Sequence, residues 1–383
     1  MKMKLIFLMF LAIQHLVLAV GVAAAVENPL STPNNKYGIH ILFPEEVEQA
    51  ANLINSSGGD YGYVTIPIQA GDKDLQKWQT FMNKARDLHV IPLIRLATEG
   101  DYFNTKLWRK PTAEDVLDFA NFLSSLSWPT KNKYIIVFNE VNRGDEWGGS
   151  PNAAEYADLL LYASTVFKNK SADFFIISSG LDNAAPNERG VFINEYDYLQ
   201  QMRQAQPTLF NSIDGLGSHS YPNPGFSQSP TNNGLTGVAS FRYERNLVKT
   251  LSGRQLPIFI TETGWSRDSV PEPKIENYYQ EAFSSIWNDS AIVAITPFLL
   301  RAGTPPFDKF SFISENGGNQ IYNVVEKLPK VKGEPILEDK QQESTPSAKV
   351  LGAKDFSKKT YQETMIFELP QSVKILTRWL LKI

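Results

Sequence analysis

Short apolar runs alternate along this chain with longer stretches whose apolar positions recur three and four residues apart. The first pattern reads as buried strand and the second as amphipathic helix. The strand-like runs are YGIHIL (37–42), YGYVTIPI (61–68), VIPLIRLAT (90–98), YIIVFNE (134–140), FFIISSG (174–180), GLGSHSY (215–221), PIFITETGW (257–265) and AIVAITPFLL (291–300). Each precedes a helical pattern. The first helix starts at Pro44, with Glu45 and Glu46 suited to its positive end. In 74–88, Leu75, Trp78, Phe81, Met82, Ala85 and Leu88 fall on one face, and in 112–126 Thr112 is placed as the N-cap. Further helices are expected within 152–170, 194–205, 239–252 and 271–288, and a last irregular and helical segment runs to about Lys330. Strict alternation implies a parallel sheet, and eight such units close a (β/α)8 barrel, a TIM barrel of the α/β class. An open doubly wound sheet usually shows a glycine-rich turn after its first strand, whereas this chain has His40-Ile41-Leu42-Phe43-Pro44.

The ends depart from this alternation. Met1-Lys2-Met3-Lys4, an apolar run from Leu5 and Ala23-Ala24-Ala25 have the layout of an export signal over 1–25, cleaved after Ala25. An uncleaved anchor is the alternative, because Leu5 to Val26 is nearly long enough to span a bilayer. The barrel is assigned to 26–330, beginning with a Pro/Asn-rich spacer. Residues 331–360, rich in Lys, Glu, Gln, Ser and Pro, read as a linker or disordered tail. In the last segment, 361–383, a helix over 371–383 gathers Val373, Ile375, Leu376, Trp379, Leu380 and Ile383 on one face and Lys374, Arg378 and Lys382 on another. Such a helix suits either an anionic membrane surface or a docking site on the barrel.

Composition narrows the chemistry. Of 383 residues 42% are hydrophobic and 20% charged, enough for a large core, and a net charge of −4 argues against nucleic acid as the main partner. No cysteine is present, and the four histidines (His15, His40, His89 and His219) form no zinc pattern, so neither thiol chemistry nor a metal hydrolase is expected. No cofactor is implied.

Two carboxylates remain that end buried strands: Glu140, after the apolar run 134–138, and Glu262, after Ile258-Phe259-Ile260. Catalytic groups of a barrel sit at the carboxyl ends of its strands, and strands four and seven are nearly opposite each other. Two acids facing across such a mouth can flank a glycosidic bond, one protonating the leaving oxygen and the other attacking the anomeric carbon. Glu262 disfavours a second negative charge beside it, while Arg95 and Tyr221 would keep Glu262 itself ionised.

An Asn-Glu pair ending strand four (Asn139-Glu140) and a Glu ending strand seven (Glu262) resemble the clan A glycoside hydrolases, retaining barrel enzymes that include the family 5 cellulases and mannanases and the family 39 xylosidases. The resemblance covers roughly residues 37–330. It implies that Glu140 is the acid/base, Glu262 the nucleophile and Asn139 a donor to the sugar 2-hydroxyl. His219-Ser220-Tyr221 matches a His-x-Tyr at the end of strand six in family 5-like members, and Arg95 resembles the arginine beside the nucleophile. Where many members place a sugar-stacking Trp on strand eight, this chain reads Thr296-Pro297-Phe298.

Sugar rings need flat apolar faces. Trp147 and Trp265, on loops after Glu140 and Glu262, are the first candidates, with Tyr102, Phe103 and Trp108 behind them; His40, ending strand one, lies either on the floor of the site or in the core. The expectation is an exported retaining glycosidase whose partner is an oligo- or polysaccharide. A transglycosylase, or a non-catalytic carbohydrate-binding protein on a degenerate barrel, is the alternative.

Overall fold

The computed structural model describes residues 26–314 and 317–338. The expected export segment, most of the expected linker and the C-terminal amphipathic segment lie outside the described residues.

Eight parallel strands form the barrel: β1 (Gly38–His40), β2 (Gly62–Gln69), β3 (Val90–Ala97), β4 (Lys133–Ile136), β5 (Phe174–Ile177), β6 (Leu216–His219), β7 (Ile258–Glu262) and β8 (Ile292–Ile295). β1 to β5 pair in sequence order, as do β6 to β8. Single bridges close the two seams, Ile177 with Gly215 and Tyr37 with Ile295. The strands are buried on both faces because side chains fill the barrel and helices cover it. Inside, Tyr134, Phe175 and Phe259 pack with ring centroids 5.0–5.7 Å apart. Gly215 is required at its seam, since a Cβ there would come within 2.7 Å of the Phe259 ring.

The longer helices are α1 (Val47–Ile54), α2 (Leu75–Asp87), α3 (Ala113–Ser124), α4 (Ala153–Lys170), α5 (Glu195–Ala205), α6 (Phe241–Ser252), α7 (Glu272–Glu281) and α8 (Gln320–Lys327). Polar caps set several of their starts. Thr112 accepts from the Asp115 amide while Asp115 accepts from the Thr112 amide, and Asp74, Asn152, Asn194 and Asn319 cap α2, α4, α5 and α8. Among the described residues, no helix is long and apolar enough to cross a membrane.

The base of the barrel corrects one expectation. Residues 331–338, assigned by composition to the linker, form a strap against it: the Lys131 amide donates to the Ile336 carbonyl at 2.9 Å, and Glu338 pairs with Lys133 at 2.9 Å and accepts from the Trp128 amide at 2.7 Å. Charged and proline-rich composition is compatible with order here because fixed backbone donors and a lysine meet the strap's polar groups. The spacer at the other end arrives at the same place, where Glu27 pairs with Lys131 at 2.6 Å.

Candidate active site

β4 stops at Ile136, four residues before Glu140. Phe138 (φ 67°) and Glu140 (φ 36°) both adopt left-handed backbone, which is uncommon for side-chain-bearing residues and concentrates at functional sites. The turn is pinned by the Glu140 amide donating to the Gly180 carbonyl at 3.1 Å and the Arg143 amide donating to the Glu140 carbonyl at 2.9 Å. Glu140 is therefore aimed by a turn rather than by the strand itself. Glu262, in contrast, is the last residue of β7 and almost wholly buried.

The two carboxylates converge on one imidazole. His219 Nδ1 lies 2.9 Å from Glu140 Oε1 and 3.8 Å from Glu262 Oε2. One oxygen of each carboxylate and the imidazole nitrogen lie within 4.8 Å of one another. These are the only three described residues that could together offer ligand atoms to a metal. Arg95 already brings a fixed cation to Glu262, so the trio reads as a charge-balanced acid pair. Around Glu262, Arg95 donates to Oε1 and the Tyr221 hydroxyl donates to Oε2 at 3.0 Å. The same Arg95 Nη1 donates to Asn139 Oδ1 at 2.8 Å, leaving the Asn139 NH2 group to donate elsewhere.

The charges separate two like side chains. Burial raises the Glu262 carboxyl, but His219 and the Arg95 guanidinium outweigh it and bring the group down to about 2. Burial opposes charge on His219; the two carboxylates nevertheless raise it above the usual histidine value. His40 lies beneath Glu262, 3.7 Å from its Oε1, fully buried and with neither ring nitrogen hydrogen-bonded. Burial first, and then Arg95, pushes it down to about 3. It is therefore neutral at ordinary pH, and the charge balance at Glu262 rests on Arg95 and His219.

Above the carboxylates opens a cavity of about 420 Å3, lined among others by Arg95, Asn139, Glu140, Glu146, Tyr221 and Glu262. This is the size of an ordinary small-ligand site. Two tryptophans expected on its walls are elsewhere. Trp147 packs edge-on against Tyr156, and Trp265 donates to the Gln228 carbonyl at 2.7 Å among Tyr278, Tyr279 and Trp287; both are buried away from the cavity. The loops that carry them fold inward, because an indole buries more apolar area under a loop than over an open mouth. Phenylalanines make the apolar wall instead: Phe298, Phe307, Phe310 and Phe226, joined by Tyr221, Tyr102 and Trp108.

The lining also holds Arg143, which the sequence reading did not single out. Arg143 pairs with Asp145 at 2.7 Å and Asp182 at 3.0 Å, with its Nε 3.7 Å from Glu140 Oε2. Its position three residues after Glu140 was the available signal. Glu146 also faces the cavity; burial and then Glu140 push it up to about 8, against the opposing pull of Arg95 and Arg143.

Paired glutamates thus stand at the carboxyl ends of the fourth and seventh strand units of an α/β barrel. Sequence comparison finds no matching family model and no matching curated relative. Comparison of folds does find glycoside hydrolases. A family 39 β-xylosidase from Caulobacter crescentus superposes with TM-score 0.51 at 13% identity, over 77% of this chain and 72% of that one. Cel5A from Thermotoga maritima, solved in a mutant form with cellobiose, gives TM-score 0.52 at 12% identity, over 79% and 99%. A family 39 enzyme from Bacteroides cellulosilyticus WH2 matches at TM-score 0.49 and 15% identity over 79% of this chain, which spans 65% of that enzyme's length. The resemblance read from the sequence holds at the level of the fold.

Proposed function

We propose that this protein is a retaining glycoside hydrolase acting on a β-linked glycan or glycoside, with Glu262 as nucleophile and Glu140 as acid/base. The observation that carries this reading is the approach of the two carboxylates to within 4.8 Å, oxygen to oxygen. Retaining enzymes hold their carboxyl groups about 5–5.5 Å apart, whereas inverting ones leave about 6.5–9.5 Å for a water.

In the first step Glu262, kept ionised by Arg95 and Tyr221, attacks the anomeric carbon while Glu140 passes its proton to the departing oxygen. The product is a glycosyl ester on Glu262 plus the free leaving group. Esterification removes the negative charge at Glu262, so Glu140 now takes a proton from the incoming water and the ester is hydrolysed with net retention. Asn139, held by Arg95, presents its NH2 to the sugar 2-hydroxyl. With an acceptor sugar in place of water the same intermediate gives transglycosylation, which product analysis with added acceptors separates from hydrolysis. The leader over 1–25 extends the proposal to a secreted or cell-surface enzyme, tested by mass spectrometry of the mature N-terminus.

A panel of 2-deoxy-2-fluoro glycosides with activated leaving groups, followed by peptide mapping, tests the chemistry. The label is expected on Glu262; label on any other residue overturns the assignment.

A further inference from the structure

Behind β6, away from the cavity, a second pair of carboxyl groups is buried. Glu195, the first residue of α5, and Glu244, in the first turn of α6, are each 1% exposed. No arginine or lysine is paired with either among the described residues. Glu244 Oε1 accepts from Ser218 Oγ at 2.8 Å and from Ser240 Oγ at 3.0 Å. Those hydroxyls both reach Ser220 Oγ, at 2.8 and 3.0 Å. The Ser220 carbonyl accepts from Thr263 Oγ1 at 2.7 Å, next to Glu262. Asn183, 3.5 Å from Ser240 Oγ, donates to the Tyr221 carbonyl at 3.0 Å.

The network lies where the sheet ladder is irregular. The register between β6 and β7 shifts between Ser218 and His219, with His219 then opposite Glu262. The two residues that touch the carboxylates of the site, His219 and Tyr221, thus stand just past that irregularity. Side chains hold the strand there: Ser218 and Ser220 flank His219 in sequence, Ser218 bonded directly to Glu244 and Ser220 linked to it through Ser218 and Ser240. On the other side of His219, Gly180 allows close approach, because a Cβ at that position would lie 2.1 Å from the ring. The imidazole is clamped between the Gly180 backbone and a strand fixed from behind.

Resting on the glycosidase reading, we propose that Glu244, partnered by Glu195, is a positioning residue that anchors the end of β6 so that His219 and Tyr221 stay aimed at Glu140 and Glu262. One proton shared by the pair fits this role. The two carboxyls share a side-chain hydrogen bond; burial, and then Glu244, raise Glu195 well above the carboxyl range, and burial raises Glu244 to about 7. The charged groups facing the pair are His219 on β6 and Asp182 on the loop after β5; on the far side of His219 stand Glu140, Glu262 and Arg95. A buried carboxyl pair without a cation tolerates one negative charge, not two.

The test compares full-length Glu244→Ala, Glu244→Gln, Glu195→Ala and Glu195→Gln with the parent chain, by two independent readouts. The first is the His219 imidazole, followed by 1H–15N NMR titration and assigned through His219→Gln. The second is turnover of the aryl β-glycoside that the parent cleaves best. Glu244→Ala is expected to move the His219 signals and titration midpoint and to lower kcat by about 10- to 100-fold with KM within about twofold, the scale of a small misplacement of catalytic groups. Glu195→Gln, which still donates to Glu244, is expected to stay close to the parent in both readouts, and Glu195→Ala to resemble Glu244→Ala. An unchanged His219 titration in folded Glu244→Ala overturns the proposal, and so does a Glu195→Gln variant as impaired as Glu195→Ala; Glu244→Gln, whose amide oxygen can still accept from both serines, is expected to be less impaired than Glu244→Ala, and equal impairment of the two overturns it as well. If the parent cleaves no glycoside, the glycosidase reading falls while the NMR arm still decides the positioning role.

Discussion

The charge on Glu262 is the feature most open to measurement without knowing the substrate. Its carboxyl is depressed from an ordinary 4.5 to about 2 in the folded chain. A carboxyl whose folded value is lowered adds stability above its unfolded value and loses it as pH falls toward the folded one. Between pH 5 and pH 3 the unfolded chain takes up a proton at this position and the folded chain hardly does. Linkage applied to the two values gives a loss of about 2 kcal/mol over that interval from this residue alone. In Glu262→Gln the contribution is absent, so stability should decline less steeply, by about the same amount, even if the variant starts lower through its unpaired Arg95. Urea unfolding followed by tryptophan fluorescence at pH 5, 4 and 3 measures both curves. Parallel curves for the two proteins would refute the claim that Arg95 and His219 hold Glu262 ionised, and with it the physical basis for calling this residue the nucleophile.

Other outcomes follow from the same geometry. Glu140→Gln should cut turnover of alkyl glycosides by about 10²- to 10⁴-fold but affect nitrophenyl glycosides much less in glycosylation, since an acidic phenol leaves without a proton; steady-state and burst kinetics with both leaving groups check this. Gly180→Ala drives a methyl group into the His219 ring and should lower both kcat and thermal stability, the latter by about 1–3 kcal/mol in denaturant melts. Glu146, raised to about 8, binds its proton more tightly folded than unfolded, so the parent should lose stability relative to Glu146→Gln as pH rises from the ordinary carboxyl range toward 8. Trp265→Phe should destabilise the fold while leaving KM unchanged, because the indole lies in the core; a raised KM would return it to the substrate site.

The fold was legible because most strand runs have a continuous apolar core and the helices carry a periodic stripe and, in several cases, a polar cap. Thr112 and residues 74–88 illustrate how closely such local signals track structure. Glu140, Glu262, Arg95, Asn139, His219 and Tyr221 could be drawn together because barrel topology brings strand ends to one rim. Loop direction was not legible. A loop aromatic such as Trp147 or Trp265 looks the same in sequence whether it faces a ligand or the core, and only the packing of the loop decides. The left-handed turn at Phe138 and Glu140 was hidden for a related reason, since neither residue type announces it. Glu195 and Glu244 read as ordinary acidic residues at helix starts; their burial depends on side chains from β6, more than twenty residues away in sequence.

The strap and the spacer meet on residues 131–133, where β4 begins, while Glu140 and Glu262 stand at the opposite end of the strands. Both ends of the described backbone therefore attach at the underside, and a probe placed at Glu27 or Glu338 reports from the foot of the barrel, remote from the opening.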